Sequence, residues 1–164
     1  MRSGRTVIFV TVGTTHFPFD RLVEAIAALP LHGEELIVQR GASRVQVPRA
    51  TVSDFLPFGD VEALVRRSRV VVSHAGVGSI MVALAGGKRP IVVPRLARFG
   101  EAVDDHQAGI ASLLAAQLRV VLAKDVAELP SLLATHPPPP AEAELPPGPL
   151  VEIVAQEARR ALKG

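Results

Sequence analysis

Short runs of Val, Ile and Leu, apolar on both faces, recur along this chain and constrain it most. They lie at Thr6–Val12, Glu35–Arg40, Val70–Ser73, Pro90–Pro94 and Arg119–Ala123, with a weaker one near Thr51–Leu56. A strand wetted on one side alternates apolar and polar residues. A run that does not alternate must be covered on both faces, as in a parallel sheet. Amphipathic stretches separate the runs. Asp20 stands before Leu22, Ile26 and Leu29; Asp60 stands before Val61, Leu64 and Val65; each spacing predicts a helix with an acidic cap. A third helix is predicted over Ser79–Ala85, closed by Gly86-Gly87, and a fourth over Asp105–Gln117. Strand and helix in regular alternation imply βαβ units and a doubly wound parallel sheet of the α/β class.

The chain has 164 residues, which suits one core, and no repeat of fixed period. With 48% hydrophobic and 21% charged residues it is not a disordered chain. A formal net charge of +2 argues against a nucleic-acid partner. The absence of cysteine excludes disulfides and thiolate chemistry and permits a cytoplasmic location. No apolar run reaches the roughly 18 residues of a membrane span. The segment 136–149 differs from what precedes it, holding seven of the chain's 14 prolines. It predicts a stiff, extended arm leading to a C-terminal helix over Leu150–Leu162.

Ligands of open parallel sheets bind at the carboxyl ends of the strands. Three loops there carry polar groups. Val12-Gly13-Thr14-Thr15-His16 follows the first strand, and Ser73-His74-Ala75-Gly76-Val77-Gly78-Ser79 joins a strand to a helix. The third loop, Arg95–Gln107, contains Arg95, Arg98, Glu101, Asp104, Asp105, His106 and Gln107. Gly76, Gly78 and Ser79 open a helix whose free amides suit an anion such as phosphate; the competing reading is a tight turn with no ligand. Glu101 can accept two hydrogen bonds from a diol, and Gln107 can both donate to and accept from a hydroxyl. A solvated loop with Asp105 as helix cap is the plainer reading of that segment. Asp104, Asp105, His106 and His74 lack a firm metal-ligand spacing, so no metal is expected. His74 alone reads equally as a structural histidine. The glycine patterns of the Walker and dinucleotide loops are both missing.

Ser73-His74-Ala75-Gly76-Val77-Gly78-Ser79-Ile80, Gly87–Arg95, Gly100-Glu101 and Asp104-Asp105-His106-Gln107 together resemble the donor-binding half of GT-B glycosyltransferases. The group they most resemble is the glycosyltransferase family 28 C-terminal domain. It includes the small catalytic subunits of two-component transferases that build bacterial exopolysaccharide and capsule. It also includes the soluble subunit of the dolichol-linked N-acetylglucosaminyltransferase. The resemblance runs from about Thr6 to Leu133. It departs from the group at Gly13-Thr14-Thr15-His16, where the group often reads Gly-Thr-His, and in the length of the proline-rich arm.

The resemblance implies a Rossmann-like domain over residues 1–135 that binds a UDP-sugar, a linker over 136–149 and a helix over 150–164. The donor would meet Gly13, Thr14, His74, Gly76, Val77, Gly78, Ser79, Arg95, Glu101, Asp105, His106 and Gln107, with the diphosphate on the Gly76–Ser79 turn. The implied activity is metal-independent, inverting hexosyl transfer to a lipid-linked glycan, with no cofactor. The catalytic base is unassigned; His16, His74 and Glu101 are the candidates on this chain. One Rossmann domain leaves the acceptor side to a membrane-anchored partner subunit, which would hold the chain at the inner membrane face. The C-terminal helix would dock on that partner; docking on its own domain or on a second copy is the alternative. The other functional reading is a non-catalytic nucleotide-sugar-binding or enhancer subunit.

Overall fold

The computed structural model describes residues 4–136, so the proline-rich arm beyond His136 and the helix expected over Leu150–Leu162 lie outside the described residues. Six strands form one sheet: β1 (Val7–Thr11), β2 (Glu35–Gln39), β3 (Ala50–Ser53), β4 (Val70–His74), β5 (Ile91–Val93) and β6 (Val121–Leu122). The helices are α1 (Asp20–Ala27), α2 (Phe58–Arg67), α3 (Val77–Ala85), α4 (His106–Ala116) and α5 (Leu129–Ala134). Every strand pair is parallel, and the order is β3-β2-β1-β4-β5-β6. This is the Rossmann order. None of these helices is long and apolar enough to cross a membrane.

All five residues of β1 and of β4 are buried, the apolar runs Val7–Val10 and Val70–Val72 together with the polar ends Thr11, Ser73 and His74. Alternate side chains enter two cores. Ile8, Val10, Val38, Val70, Val72 and Ile91 meet Leu22 and Ile26 of α1 and Leu129 and Leu133 of α5 on one face. On the other face Val7, Phe9 and Val71 meet Val65 of α2 and Ala83 of α3. Farther along that face Val92 meets Ile80, Leu84, Ala111 and Leu114 of α3 and α4.

Helix starts differ from the sequence expectation. Asp20 is the first helical residue of α1 rather than its cap, and α2 begins at Phe58, two residues before Asp60. Both carboxylates still sit in a first turn, where the helix dipole favours them. α3 begins at Val77 with Gly76 at its cap position. Asp105 does occupy the cap position of α4, but its carboxylate is turned to the Ala97 amide instead. The sequence reading passed over α5; Pro130 in its first turn and the spacing of Leu129, Leu132 and Leu133 were the available signal.

The sheet order reverses between β1 and β4. The chain leaves β1 for α1 on one face and leaves β4 for α3 on the other. A crevice opens between those two exits, at the carboxyl ends of the strands.

Candidate functional site

The crevice holds a cavity of about 380 Å³. Thr11, Gly13, Gln39 and His74 form its floor, and Thr14 and Thr15 its rim. Gly76, Gly78, Ser79 and Val82 line it from α3 and the turn before it, and Phe55, Leu56, Phe58 and Val61 from the start of α2 and the segment before it.

The aromatic wall is tied to the sheet by one buried amide. Gln39 ends β2, donates through Nε2 to Thr11 Oγ1 at 3.0 Å and accepts from the Leu56 N–H at 3.0 Å. Thr11 Oγ1 also accepts the Gly13 N–H at 3.2 Å. The segment before α2 is thereby held against the end of β1, while Phe55 and Phe58 stay 65% exposed beside the cavity.

His74 lies under the cavity, 6% exposed. Its Nε2 is 3.1 Å from Ser79 Oγ and its Nδ1 is 3.4 Å from the Gln107 amide nitrogen. Gly13 and Gly76 flank the ring, and a Cβ on either would collide with the imidazole. Gly13 also has φ +79°, a left-handed conformation that other residues resist. Burial pushes the His74 pKa down to about 3, and the nearby Arg95 charge pushes the same way, so the ring is neutral at physiological pH. No side chain caps α3, so the Gly78 and Ser79 amides face the cavity with the positive end of the helix dipole. A Cβ on Gly78 would meet open space.

The third loop folds inward. Arg95 is 1% exposed, and its guanidinium donates to the carbonyls of Phe17 (2.9 Å), Glu101 (3.0 Å) and Val12 while stacking 4.8 Å from the Phe19 ring. Burial lowers its pKa to about 10, which still leaves it charged at neutral pH. Glu101, 3% exposed, accepts from Arg21 Nε and Nη2 at 2.9 Å each and from the Leu96 N–H at 3.0 Å. Gln107 accepts the Arg95 N–H at 3.1 Å. The Asp105 carboxylate accepts the Ala97 N–H at 2.8 Å, and His106 Nδ1 is bonded to Asp104.

Of the residues expected at a donor, the structure brings Gly13, Thr14, His74, Gly76, Gly78 and Ser79 together around the cavity. Arg95, Glu101 and Gln107 are buried outside the lining, while Asp105 is exposed and His106 half-buried, also outside it. Val77 packs towards the α3–α4 core, and His16 lies outside the lining with its ring 4.2 Å from that of Phe17. Among the described residues no three His, Asp or Glu converge on a metal position. Sequence reasoning missed Thr11, Gln39, Phe55 and Phe58. A lone Gln at the end of an apolar strand and two Phe flanking Pro57 were the signals.

A family model for the glycosyltransferase family 28 C-terminal domain matches residues 7–135. The chain belongs to this family. Among curated relatives, UDP-N-acetylglucosamine transferase subunit ALG13 of Yarrowia lipolytica is 30% identical over 135 residues, covering 73% of this chain and 65% of that protein. Glycosyltransferase GtfE of Amycolatopsis orientalis is 31% identical over 97 residues, covering 58% of this chain and 24% of that protein. The chain thus spans about a quarter of the one relative and under two thirds of the other. The fold is shared with the glycotransferase of kitacinnamycin (TM-score 0.57, 22% identity, covering 84% of this chain and 36% of that one). It is also shared with CalG4, the calicheamicin glycosyltransferase (TM-score 0.58, 15% identity, covering 79% of this chain and 34% of that one). As a family 28 domain with a Rossmann-like sheet, the chain is the GT-B C-terminal type expected from its motifs.

Proposed function

We propose that the cavity binds a UDP-sugar, and that the protein, with a partner subunit, transfers the sugar to a lipid-linked glycan acceptor in polysaccharide biosynthesis. The observation that carries this reading is the two-ended chemistry of the cavity. At one end the uncapped start of α3 and the Ser79 hydroxyl offer donors to a diphosphate. At the other, Phe55, Leu56 and Phe58 offer apolar surface to a flat base.

In transfer, the bond from the sugar's anomeric carbon to the diphosphate oxygen breaks as the acceptor oxygen attacks, and charge grows on the departing UDP. With the diphosphate at the start of α3, the amides there would stabilise that charge without a metal. A single displacement by the acceptor inverts the anomeric carbon and requires a base for its proton. Both His74 nitrogens and both Glu101 oxygens face protein partners, and His16 lies outside the cavity lining. We therefore place the base on the partner, which would also bind the acceptor and hold this chain at the inner membrane face. The curated ALG13 relative is itself described as a subunit.

The same observation favours one other reading, a non-catalytic donor-binding subunit whose partner does all the chemistry. Calorimetry of UDP-sugars against the isolated chain and against the isolated partner separates the two. Gly78→Val adds a side chain into open space at the phosphate end, so the fold survives while UDP affinity falls at least about tenfold, or 1.4 kcal/mol. Unchanged calorimetric affinity for UDP in a folded Gly78→Val variant removes the phosphate assignment. Deleting residues 151–164 is expected to spare UDP binding, because the cavity-lining residues among those described lie between Thr11 and Val82, and to abolish partner-dependent transfer.

A further inference from the structure

Four polar groups form a hydrogen-bond chain that runs in one direction from behind the cavity to its lining. It begins at the Arg95 backbone N–H, a donor that cannot reverse. That N–H points at Gln107 Oε1, 3.1 Å away. Turning the amide over would set its NH2 against the Arg95 N–H, donor against donor, so the oxygen stays there and the NH2 faces His74 Nδ1 at 3.4 Å. Nδ1 must then accept. The ring carries one proton, because burial keeps it neutral. That proton therefore sits on Nε2 and is donated to Ser79 Oγ at 3.1 Å. Ser79 receives a hydrogen bond and has its own hydroxyl proton to place. Among the described residues its side chain has no partner but His74, and it lines the cavity.

We propose that Gln107 is a positioning residue that fixes the His74 tautomer and thereby makes the Ser79 hydroxyl a donor directed at an anionic oxygen of the ligand. This rests on the reading of the cavity as a nucleotide-diphosphate site and assigns the direction of its hydrogen bonds. Two features lock the arrangement. Gly13 and Gly76 lie close against the ring, where a Cβ on either would collide with it. Gln107 and His74 are 7% and 6% exposed, so the contact between them is largely shielded from bulk water. With the amides of Gly78 and Ser79, the phosphate end then presents only donors, and it favours a diphosphate over a neutral group that must itself donate.

The test reads the proton directly. Long-range proton–nitrogen NMR on the full-length chain is expected to find neutral His74 as the Nε2–H tautomer, with or without UDP. A neutral Nδ1–H tautomer overturns the proposal. In Gln107→Glu a carboxylate oxygen faces Nδ1, and that nitrogen is expected to become protonated. If Nδ1 stays bare in a folded Gln107→Glu variant, position 107 does not set the tautomer and the proposal fails. Ser79→Ala is expected to lower calorimetric affinity for UDP about tenfold and leave affinity for uridine unchanged. Equal loss for uridine, or no loss for UDP, overturns the role of the hydroxyl. If the wild-type chain binds neither probe, the nucleotide reading itself fails, and the tautomer result stands apart from it.

Discussion

Replacing Glu101 by alanine separates a framework role from a donor-binding role. The substitution removes three charge-assisted hydrogen bonds, two from Arg21 at 2.9 Å and one from the Leu96 N–H at 3.0 Å. Breaking a buried pair by deleting one partner costs about 3–5 kcal/mol. Arg21 is 20% exposed and keeps its bond to the Pro94 carbonyl and its stacking on Phe19 and Phe99, which points to the lower end. A loss of about 3 kcal/mol corresponds to a fall in Tm of roughly 9 °C for a chain of this size. Urea unfolding and thermal melting monitored by circular dichroism read it. Arg21→Met combined with Glu101→Met should recover part of the loss, because no charge is then stranded. UDP affinity should stay within about twofold of wild type, since Glu101 does not line the cavity. The opposite pattern, an unchanged Tm with UDP affinity lost, would refute the framework role and put Glu101 at the donor.

Three further outcomes are expected. Gly13→Ala forces a side chain into a left-handed backbone and onto the His74 ring, and should cost about 3 kcal/mol or more in urea unfolding; a loss under about 1 kcal/mol contradicts the packing around His74. His74 has a folded pKa of about 3 against an ordinary 6.5, so the unfolded chain takes up its proton first. This contribution to stability is complete above about pH 6.5 and declines as pH falls towards 3, by up to about 1.4 kcal/mol per pH unit. His136, lowered by burial and by Arg69 and Arg89, adds in the same direction. An NMR midpoint for His74 above pH 5 in the folded protein would contradict this burial. Transfer by the reconstituted complex should continue in EDTA; loss on chelation with rescue by Mg²⁺ or Mn²⁺ would return Asp104, Asp105 and His106 to consideration as ligands.

Half of the candidate site was legible before folding. The glycines after β1 and β4 stand out because an apolar strand followed by Gly and a small polar residue is a local pattern, and the strand ends that bear them point to one edge. The aromatic wall was not legible. Phe55 and Phe58 look like any apolar residues near a proline, and only the Gln39 bonds to Thr11 and Leu56 draw them to the end of β1. The third loop shows where local pattern stops. Arg95, Glu101 and Gln107 have the chemistry of ligand contacts, but sequence carries no sign of which way a loop side chain turns. Nothing in the sequence marks Arg21, because its partner Glu101 is 80 positions away.

The sequence by itself determined the elements and their class. Periodicity is a property of neighbours, and strands apolar on both faces admit few arrangements other than a covered parallel sheet. Tertiary structure decided the order of the strands, and with it the reversal between β1 and β4 that opens the crevice. It also decided which polar groups face that crevice and which are spent behind it. Arg95 reaches back to the Val12 carbonyl, and Gln107 reaches His74 and Arg95, because a buried charge or amide must satisfy its hydrogen bonds wherever the fold brings partners. Those partners lie 12 to 83 residues away, a distance across which no local pattern carries information.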